Sequence, residues 1–188
     1  FQLPIGNIIA MSFTGNLWET EHILTGEPLD TSAVYTRTYA WISPPGDATK
    51  AGEFDDPNER MENARKVREA LSIAIDKDLI NEIIYNGQAQ PAYQVGAHPT
   101  MNEWQERWRY DYDPARAEQL LDEAGHPRNS EGTRFEFPLY VASYIGGFNG
   151  NELGDAISGM WAEIGVTTPV LKFSYSVYRP TNVTRTST

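Results

Sequence analysis

The chain has 188 residues, a formal net charge of -11 and no cysteine. The acidic balance argues against a protein that binds a phosphate backbone through a basic stripe, and the lack of cysteine excludes disulfides, thiol nucleophiles and cysteine metal sites. Hydrophobic residues make up 40% and charged residues 22% of the sequence, a composition typical of a folded globular domain.

The first third of the chain predicts short strands and long loops. Residues 1–15 mix apolar and β-branched residues with proline and glycine, which indicates one or two short strands. The polar, turn-rich segment 16–32 follows. The alternation in AVYTRTYAWI, residues 33–42, predicts another strand, and the proline- and glycine-rich segment 43–57 predicts a surface loop.

Two helices are predicted next from their capping residues. Asp56, Pro57 and Glu59 form a pattern typical of a helix start. One apolar stripe follows that start at helical spacing; it consists of Ala64, Val67, Ala70, Leu71, Ala74 and Ile75. Asp76 predicts the cap of a second, shorter helix, and Gly87 predicts its end.

The second half of the chain predicts alternating helices and strands. Asp113 and Pro114 predict the start of a helix that ends near Gly125. The segments FEFPLYVA (135–142) and VTTPVLKFSYSVY (166–178) each predict a strand. Between them, NELGDAISGMWAEIG predicts a helix with one buried face, formed by Leu153, Ala156, Ile157, Met160, Trp161 and Ile164. A strand–helix–strand unit implies parallel pairing, so the predicted class is α/β.

The sequence offers little catalytic machinery. The three histidines share no metal-ligand spacing, so neither a metal site nor a cofactor is predicted. Glu19, Glu21 and His22 could form an acid–base set, although a solvated loop is the favoured interpretation. The glycine-rich segment 145–151 lacks the spacing of a phosphate loop. It predicts a helix start whose free N–H groups could meet a ligand carboxylate.

Aromatic side chains are the remaining candidates for ligand binding. Trp18, Trp41, Tyr144 and Phe148 fall in predicted loops or at strand ends. Amphipathic aromatic rings in such positions can line a ligand cleft. We therefore predict these four residues as ligand contacts.

Three motifs resemble one known family. ARKVREALSIAIDKDLINEIIYNGQAQPAY and YDYDPARAEQLLDEAGHP are similar to the corresponding motifs of the dipeptide, oligopeptide and nickel-type extracellular solute-binding proteins, family 5. FEFPLYV followed by ELGDAISGMWAEIGVTTPV resembles the strand and helix that come next in that family. The three motifs occur in the family's order over residues 64–171, and residues 1–63 match less closely.

The resemblance implies a fold and a function. The fold would be one lobe of a two-lobed periplasmic binding protein, with a mixed sheet flanked by helices. Residues 1–188 would form this single lobe, with 64–171 as its best-matched core and with 1–63 and 172–188 as less certain strands and loops. The acidic residue that pairs with a peptide amino terminus in this family would lie beyond Thr188, so the resemblance assigns no ligand contact.

The same resemblance implies the partners and the compartment. The expected partners are a peptide or other small solute, the permease of an ABC importer and the missing second lobe, with no nucleic acid. The expected location is periplasmic or extracellular. Whether the longer parent carries a lipoprotein anchor is left open by the resemblance. The chain has neither an initiating Met nor a basic leader segment. Two alternatives remain, a stand-alone acidic interaction domain and a hydrolase that uses Glu19, Glu21 and His22. The motifs favour a binding module and not an enzyme.

Overall fold

A computed structural model describes most of the last two thirds of the chain. The described residues are 11, 13, 26, 27, 39–41, 57–93, 99, 101–143 and 150–183. The helices and strands follow in the order α1 Pro57–Ile73, α2 Lys77–Tyr85, a 3-10 turn Glu106–Trp108, α3 Pro114–Glu123, β1 Phe135–Glu136, β2 Leu139–Ser143, α4 Gly150–Glu163, β3 Val166–Thr167, β4 Val170–Ser174 and α5 Tyr175–Val183. The α/β class is thereby confirmed.

The predicted helix starts are confirmed wherever they are described. A side-chain oxygen of Asp76 accepts from the backbone N–H of Leu79 at 2.9 Å, which caps α2. Asp113 caps α3 in the same way, by accepting from the N–H of Arg116 at 2.9 Å. α1 begins at Pro57 as predicted, while its predicted cap, Asp56, lies outside the described residues.

The end of α2 differs slightly from the prediction. Asn86 is the first residue to leave the helix, and it has a left-handed backbone with φ of 52°. Gly87 follows with φ of 72°. Asparagine tolerates this conformation better than most residues because its short side chain can bond locally, so the two residues terminate the helix together.

Each of the two predicted strands in the second half is interrupted by a proline. Residues 135–142 form β1 and β2 on either side of Pro138, and residues 166–174 form β3 and β4 on either side of Pro169. Proline has no N–H to donate to a strand ladder. The backbone bonds from Phe137 N to Thr167 O (3.1 Å) and from Leu139 N to Pro169 O (2.9 Å) carry the pairing across both breaks.

Both strand pairs are parallel, as predicted. β1 pairs with β3 and β2 pairs with β4, with the same register in the two ladders. α4 connects the two halves of this arrangement. The prediction that residues 175–178 continue the last strand is wrong, because Tyr175 begins α5. Alternating side chains do not distinguish a strand from the first turn of a helix when the run is this short.

The predicted strand at 33–42 is also wrong where the structure describes it. Residues 39–41 form a bend and turn. The carbonyl oxygen of Trp41, which a ladder would use, accepts a hydrogen bond from the guanidinium of Arg68 at 2.7 Å. A tertiary contact therefore takes up the carbonyl group that a strand ladder would need.

The core lies where α1, α3 and α4 meet the strands. The largest fully buried side chains are Trp161, Leu71, Leu120, Leu121, Ile164, Val67 and Val166. Of the predicted face of α4, Ile157, Trp161 and Ile164 are buried, and Leu153, Ala156 and Met160 are partly buried against the same cluster. No helix in the described ranges combines the length and apolar character needed to cross a membrane.

Candidate functional site

The parallel pairing of β2 and β4 places the ends of these strands at one edge of the sheet. β2 ends at Ser143 and β4 ends at Ser174, and the two serines are partners in the register. In open α/β folds, ligands bind in the crevice outside the carboxyl ends of the strands. This edge is therefore the candidate functional site.

The direction of α4 brings its N-terminus to the same edge. Gly154, in the second turn of α4, lies against Val141 of β2 and Val170 of β4. Further along the helix, the hydroxyl of Ser158 donates to the carbonyl of Thr168 at 2.8 Å, just before β4 begins. α4 thus runs from the carboxyl edge of the strands back to their amino edge. Its first free backbone N–H groups face the candidate site.

A glycine makes this close helix position possible. A Cβ on Gly154 would lie 2.5 Å from Cγ2 of Val141 and 3.2 Å from Cγ1 of Val170. Real side chains do not approach this closely, so any larger residue would push α4 away from β2 and β4. Sequence reasoning assigned no role to Gly154, although a glycine inside a strong helical pattern is itself a sign of close packing.

Among the residues that the structure describes, a polar atom of α4 and one of α2 are enclosed without a hydrogen-bond partner. They are Oδ1 of Asn151, in the first turn of α4, and the hydroxyl of Tyr85, at the end of α2. Burial raises the pKa of Tyr85, and the negative charge of Glu152, in the first turn of α4, raises it further. Unsatisfied buried polar atoms are uncommon and often mark functional positions.

These groups define what the edge can do chemically. Free N–H groups at a helix N-terminus bind a carboxylate or another anion, and the enclosed oxygen of Asn151 can accept a hydrogen bond after a small rearrangement. Among the residues that the structure describes, no group of three or more histidine, aspartate or glutamate side chains is arranged to hold a metal ion.

A family model matches nearly the whole chain. The model is that of the bacterial extracellular solute-binding proteins, family 5 Middle, and it covers residues 20–186. The chain belongs to family 5. The motifs at residues 64–171 lie inside the matched range, so the family resemblance seen in the sequence is confirmed.

Individual family 5 relatives are similar over part of this chain. Heme-binding protein A of Haemophilus influenzae is 35% identical over 117 residues, which are 61% of this chain and 20% of the relative. The structure of an oligopeptide-binding protein OppA matches with a TM-score of 0.55 and 26% identity, covering 70% of this chain and 22% of that one.

A dipeptide-binding protein of Pseudoalteromonas sp. SM9913, solved in complex with Met-Leu, matches with a TM-score of 0.52. It is 26% identical, and the match covers 63% of this chain and 22% of that one. The chain therefore spans about a fifth of the length of these family 5 proteins. These relatives are named as binding proteins.

The structure describes one of the four predicted ligand contacts. Trp41 is only 5% exposed and belongs to the core. Its ring stacks on Tyr39, with centroids 4.4 Å apart, and meets Phe137 edge-on at 4.5 Å. Packing thus accounts for the position of Trp41. The other three candidates, Trp18, Tyr144 and Phe148, lie outside the described residues. Ligand contact stays a prediction for all four.

The residues of the hydrolase alternative, Glu19, Glu21 and His22, also lie outside the described part of the chain. Sequence reasoning did identify the glycine-rich start of α4 as a place where N–H groups could meet a carboxylate. It did not identify Tyr85 or Asn151, because the tertiary packing that encloses their polar atoms has no local signal.

Proposed function

We propose that this chain is part of one lobe of an extracytoplasmic solute-binding protein that captures peptides or related solutes for an ABC importer. The longer parent would close two lobes over its ligand, and this chain would contribute one wall of the cleft. The partners would be the solute, the second lobe and the importer's permease. A lipid anchor on the parent is compatible with this role.

The observation that carries the proposal is the family 5 match over residues 20–186, combined with a ligand-competent edge inside the matched range. Peptides are the first choice of solute because an oligopeptide-binding and a dipeptide-binding protein are among the similar structures. A peptide also carries the carboxylate that the N-terminus of α4 can receive. Heme is a second candidate solute, since heme-binding protein A is similar in sequence.

Calorimetry on two forms of the protein tests this function. The 188-residue chain and the complete product of its gene are each titrated with a dipeptide, a tripeptide, a pentapeptide and heme. We expect submicromolar peptide binding by the complete product and at least about a hundredfold weaker binding by the 188-residue chain, because half of the cleft is missing. Tight binding of heme with no peptide binding would make heme, and not a peptide, the solute. If the complete product bound none of these solutes, the proposed function would be refuted.

The ligand position is tested by adding a negative charge at the start of α4. In the complete product, Asn151→Asp should weaken peptide binding about tenfold, because the new carboxylate competes with that of the ligand. Asn102→Asp adds the same charge at an exposed position between α2 and α3 and should leave the affinity unchanged. If both substitutions changed the peptide affinity equally, only the overall charge would matter, and the start of α4 would not be part of the binding site.

A further inference from the structure

A concave surface lies away from the strand edge. It is a cleft of about 440 Å³ formed by α1, by the segment before α3 and by the first turn of α3, and none of its lining residues belongs to β2, β4 or α4. Four guanidinium groups from these three elements line it, those of Arg65, Arg107, Arg109 and Arg116. We call this surface the arginine cleft. Such a concentration of arginine is unusual in a chain whose net charge is -11.

Two of the four arginines are fully engaged with neighbouring carboxylates. Arg65 bonds to both oxygens of Glu62 and, at 2.6 Å, to Glu69. Arg109 pairs with Asp111 at 2.9 Å and with Glu106 at 3.4 Å. These contacts hold the two guanidinium groups in place and neutralise them. Of the remaining two arginines, Arg116 pairs with Glu123 at 2.7 Å, which leaves Arg107 as the arginine without a carboxylate partner among the described residues.

Arg107 and Arg116 have hydrogen-bond donors to spare. Within the described part of the chain, the guanidinium of Arg107 makes no ion pair and no hydrogen bond. Arg116 uses Nη1 for Glu123, at 2.7 Å, and for Gln119, at 3.3 Å. Its Nε and Nη2 have no partner among the described residues. A planar guanidinium with free N–H groups matches the oxygen atoms of a carboxylate or phosphate.

The carboxylates that line the cleft are already occupied. Glu69 pairs with Arg65, and Asp111 pairs with Arg109. Asp113 accepts from the backbone N–H of Arg116 as the cap of α3. Arg65, Arg109 and Arg116 each pair with a carboxylate. Within the described part of the chain, Arg107 is the arginine of the cleft whose charge no carboxylate pairs, so its unsatisfied interaction is one with an anion.

We propose that the arginine cleft binds an oxyanion, a carboxylate or a phosphate group, with Arg107 as its main donor and Arg116 as the second. Ile73 and Tyr110 supply the less polar walls, which reduce solvent screening of the bound charge. This site is separate from the solute site at the strand edge, and it does not depend on the proposed transport function.

Nuclear magnetic resonance on the 188-residue chain tests the site directly. The Nε–H signals of the arginines are followed at pH 7 during titration with sodium phosphate or with sodium succinate, with sodium chloride adjusted to keep the ionic strength constant. We expect saturable shifts of the Arg107 and Arg116 signals with at least one of the two anions. Saturation by phosphate alone or by succinate alone would support the site and identify the oxyanion class that it prefers.

A matched pair of substitutions gives the control. Arg107→Gln should weaken anion binding about fivefold, which corresponds to the upper range for exposed ion pairs. Arg179→Gln removes an exposed arginine of α5 that does not line the cleft and should leave the affinity unchanged. Shifts that rise linearly with both anions, or equal weakening by both substitutions, would overturn the proposal.

Discussion

The indole Nε1 of Trp161 donates a 2.8 Å hydrogen bond to the carbonyl oxygen of Leu71 and so joins α4 to the last turn of α1. The last four carbonyls of a helix have no partner inside it. In α1, the carbonyl oxygen of Leu71 accepts from Trp161 of α4. The carbonyl oxygen of Ser72 accepts from the backbone N–H of Ile75 and from the side chain of Lys77. The carbonyl oxygen of Ile73 accepts from the backbone N–H of Asp113 at 2.9 Å. The end of α1 is therefore capped by other elements of the fold.

Replacing Trp161 should have a large cost. Trp161 is completely buried, so Trp161→Phe removes buried volume and leaves the carbonyl of Leu71 without a donor. We expect a loss of about 3 kcal/mol in the free energy of unfolding, measured with urea. Trp108→Phe alters a partly exposed indole and should cost under about 1 kcal/mol. A similar cost for both substitutions would contradict the role of this hydrogen bond.

Two glycines of α4 should respond to alanine in opposite directions. Gly154→Ala places a Cβ against Val141, and we expect destabilisation by about 1–2 kcal/mol from overpacking. At Gly159 a Cβ meets nothing within 4 Å. Gly159→Ala should therefore stabilise the protein by about 0.5–1 kcal/mol through helix propensity. Thermal unfolding monitored by circular dichroism distinguishes the two, and a shift of the same sign in both variants would refute the close contact.

The ion pairs of the buried Arg134 side chain should contribute more to stability than a pair in which both side chains are exposed. The side chain of Arg134 is 2% exposed and bonds to Asp122, Glu118 and the carbonyls of His126 and Ile164. Lysine cannot make these contacts simultaneously, so Arg134→Lys should cost about 2–3 kcal/mol in urea unfolding.

The comparison for Arg134 is the pair between Lys172 and Asp155, whose side chains are 41% and 57% exposed. Lys172→Met should change the free energy of unfolding by less than about 1 kcal/mol, because water screens the pair. If the two substitutions cost the same, burial does not determine the strength of these pairs.

His126 should make the protein less stable in mild acid. Burial lowers the pKa of His126 below its ordinary value of 6.5, and the nearby charge of Arg134 lowers it further. Within the described part of the chain, Nε2 of His126 is enclosed without a hydrogen-bond partner. The unfolded chain therefore binds this proton more readily than the folded chain. The contribution to stability is complete above pH 6.5 and is lost as the pH falls from there through the folded-state pKa.

Urea unfolding at intervals from pH 7.5 to 5 measures this effect. The His126→Gln variant should lose less stability than the parent chain over that range, because glutamine does not titrate. Identical pH dependence in the two proteins would show that His126 is not responsible. The carboxylates Glu62 and Glu118, whose pKa values are lowered by hydrogen bonds from arginine, act at lower pH and do not interfere in this window.

Helix starts were predictable because their determinants are local. The side chains of Asp76 and Asp113 cap helices through backbone groups only three positions away. Pro138 and Pro169 were also local signals that the strands are interrupted, but the alternation of residues around them predicted continuous strands. The glycine-rich start of α4 predicted free N–H groups, and the structure supplies a helix that begins at Gly150.

The candidate sites were only partly predictable. Tyr85 and Asn151 are 66 positions apart in the sequence, and the enclosure of their polar atoms depends on tertiary packing. In the arginine cleft, Arg65, Arg107 and Arg116 come from three separate elements. Each looks like an ordinary solvent-exposed arginine in the sequence, and their convergence depends on how α1 and α3 pack.

The sequence by itself determined the helix starts, the apolar faces and the family motifs, because these depend on residues within one or two turns of each other. Tertiary structure alone decided where α1 ends, why Gly154 must be small and that Trp41 is buried beside Phe137. The physical reason is the same in each case. Hydrogen bonds and van der Waals contacts between distant residues act only after the helices and strands have packed together.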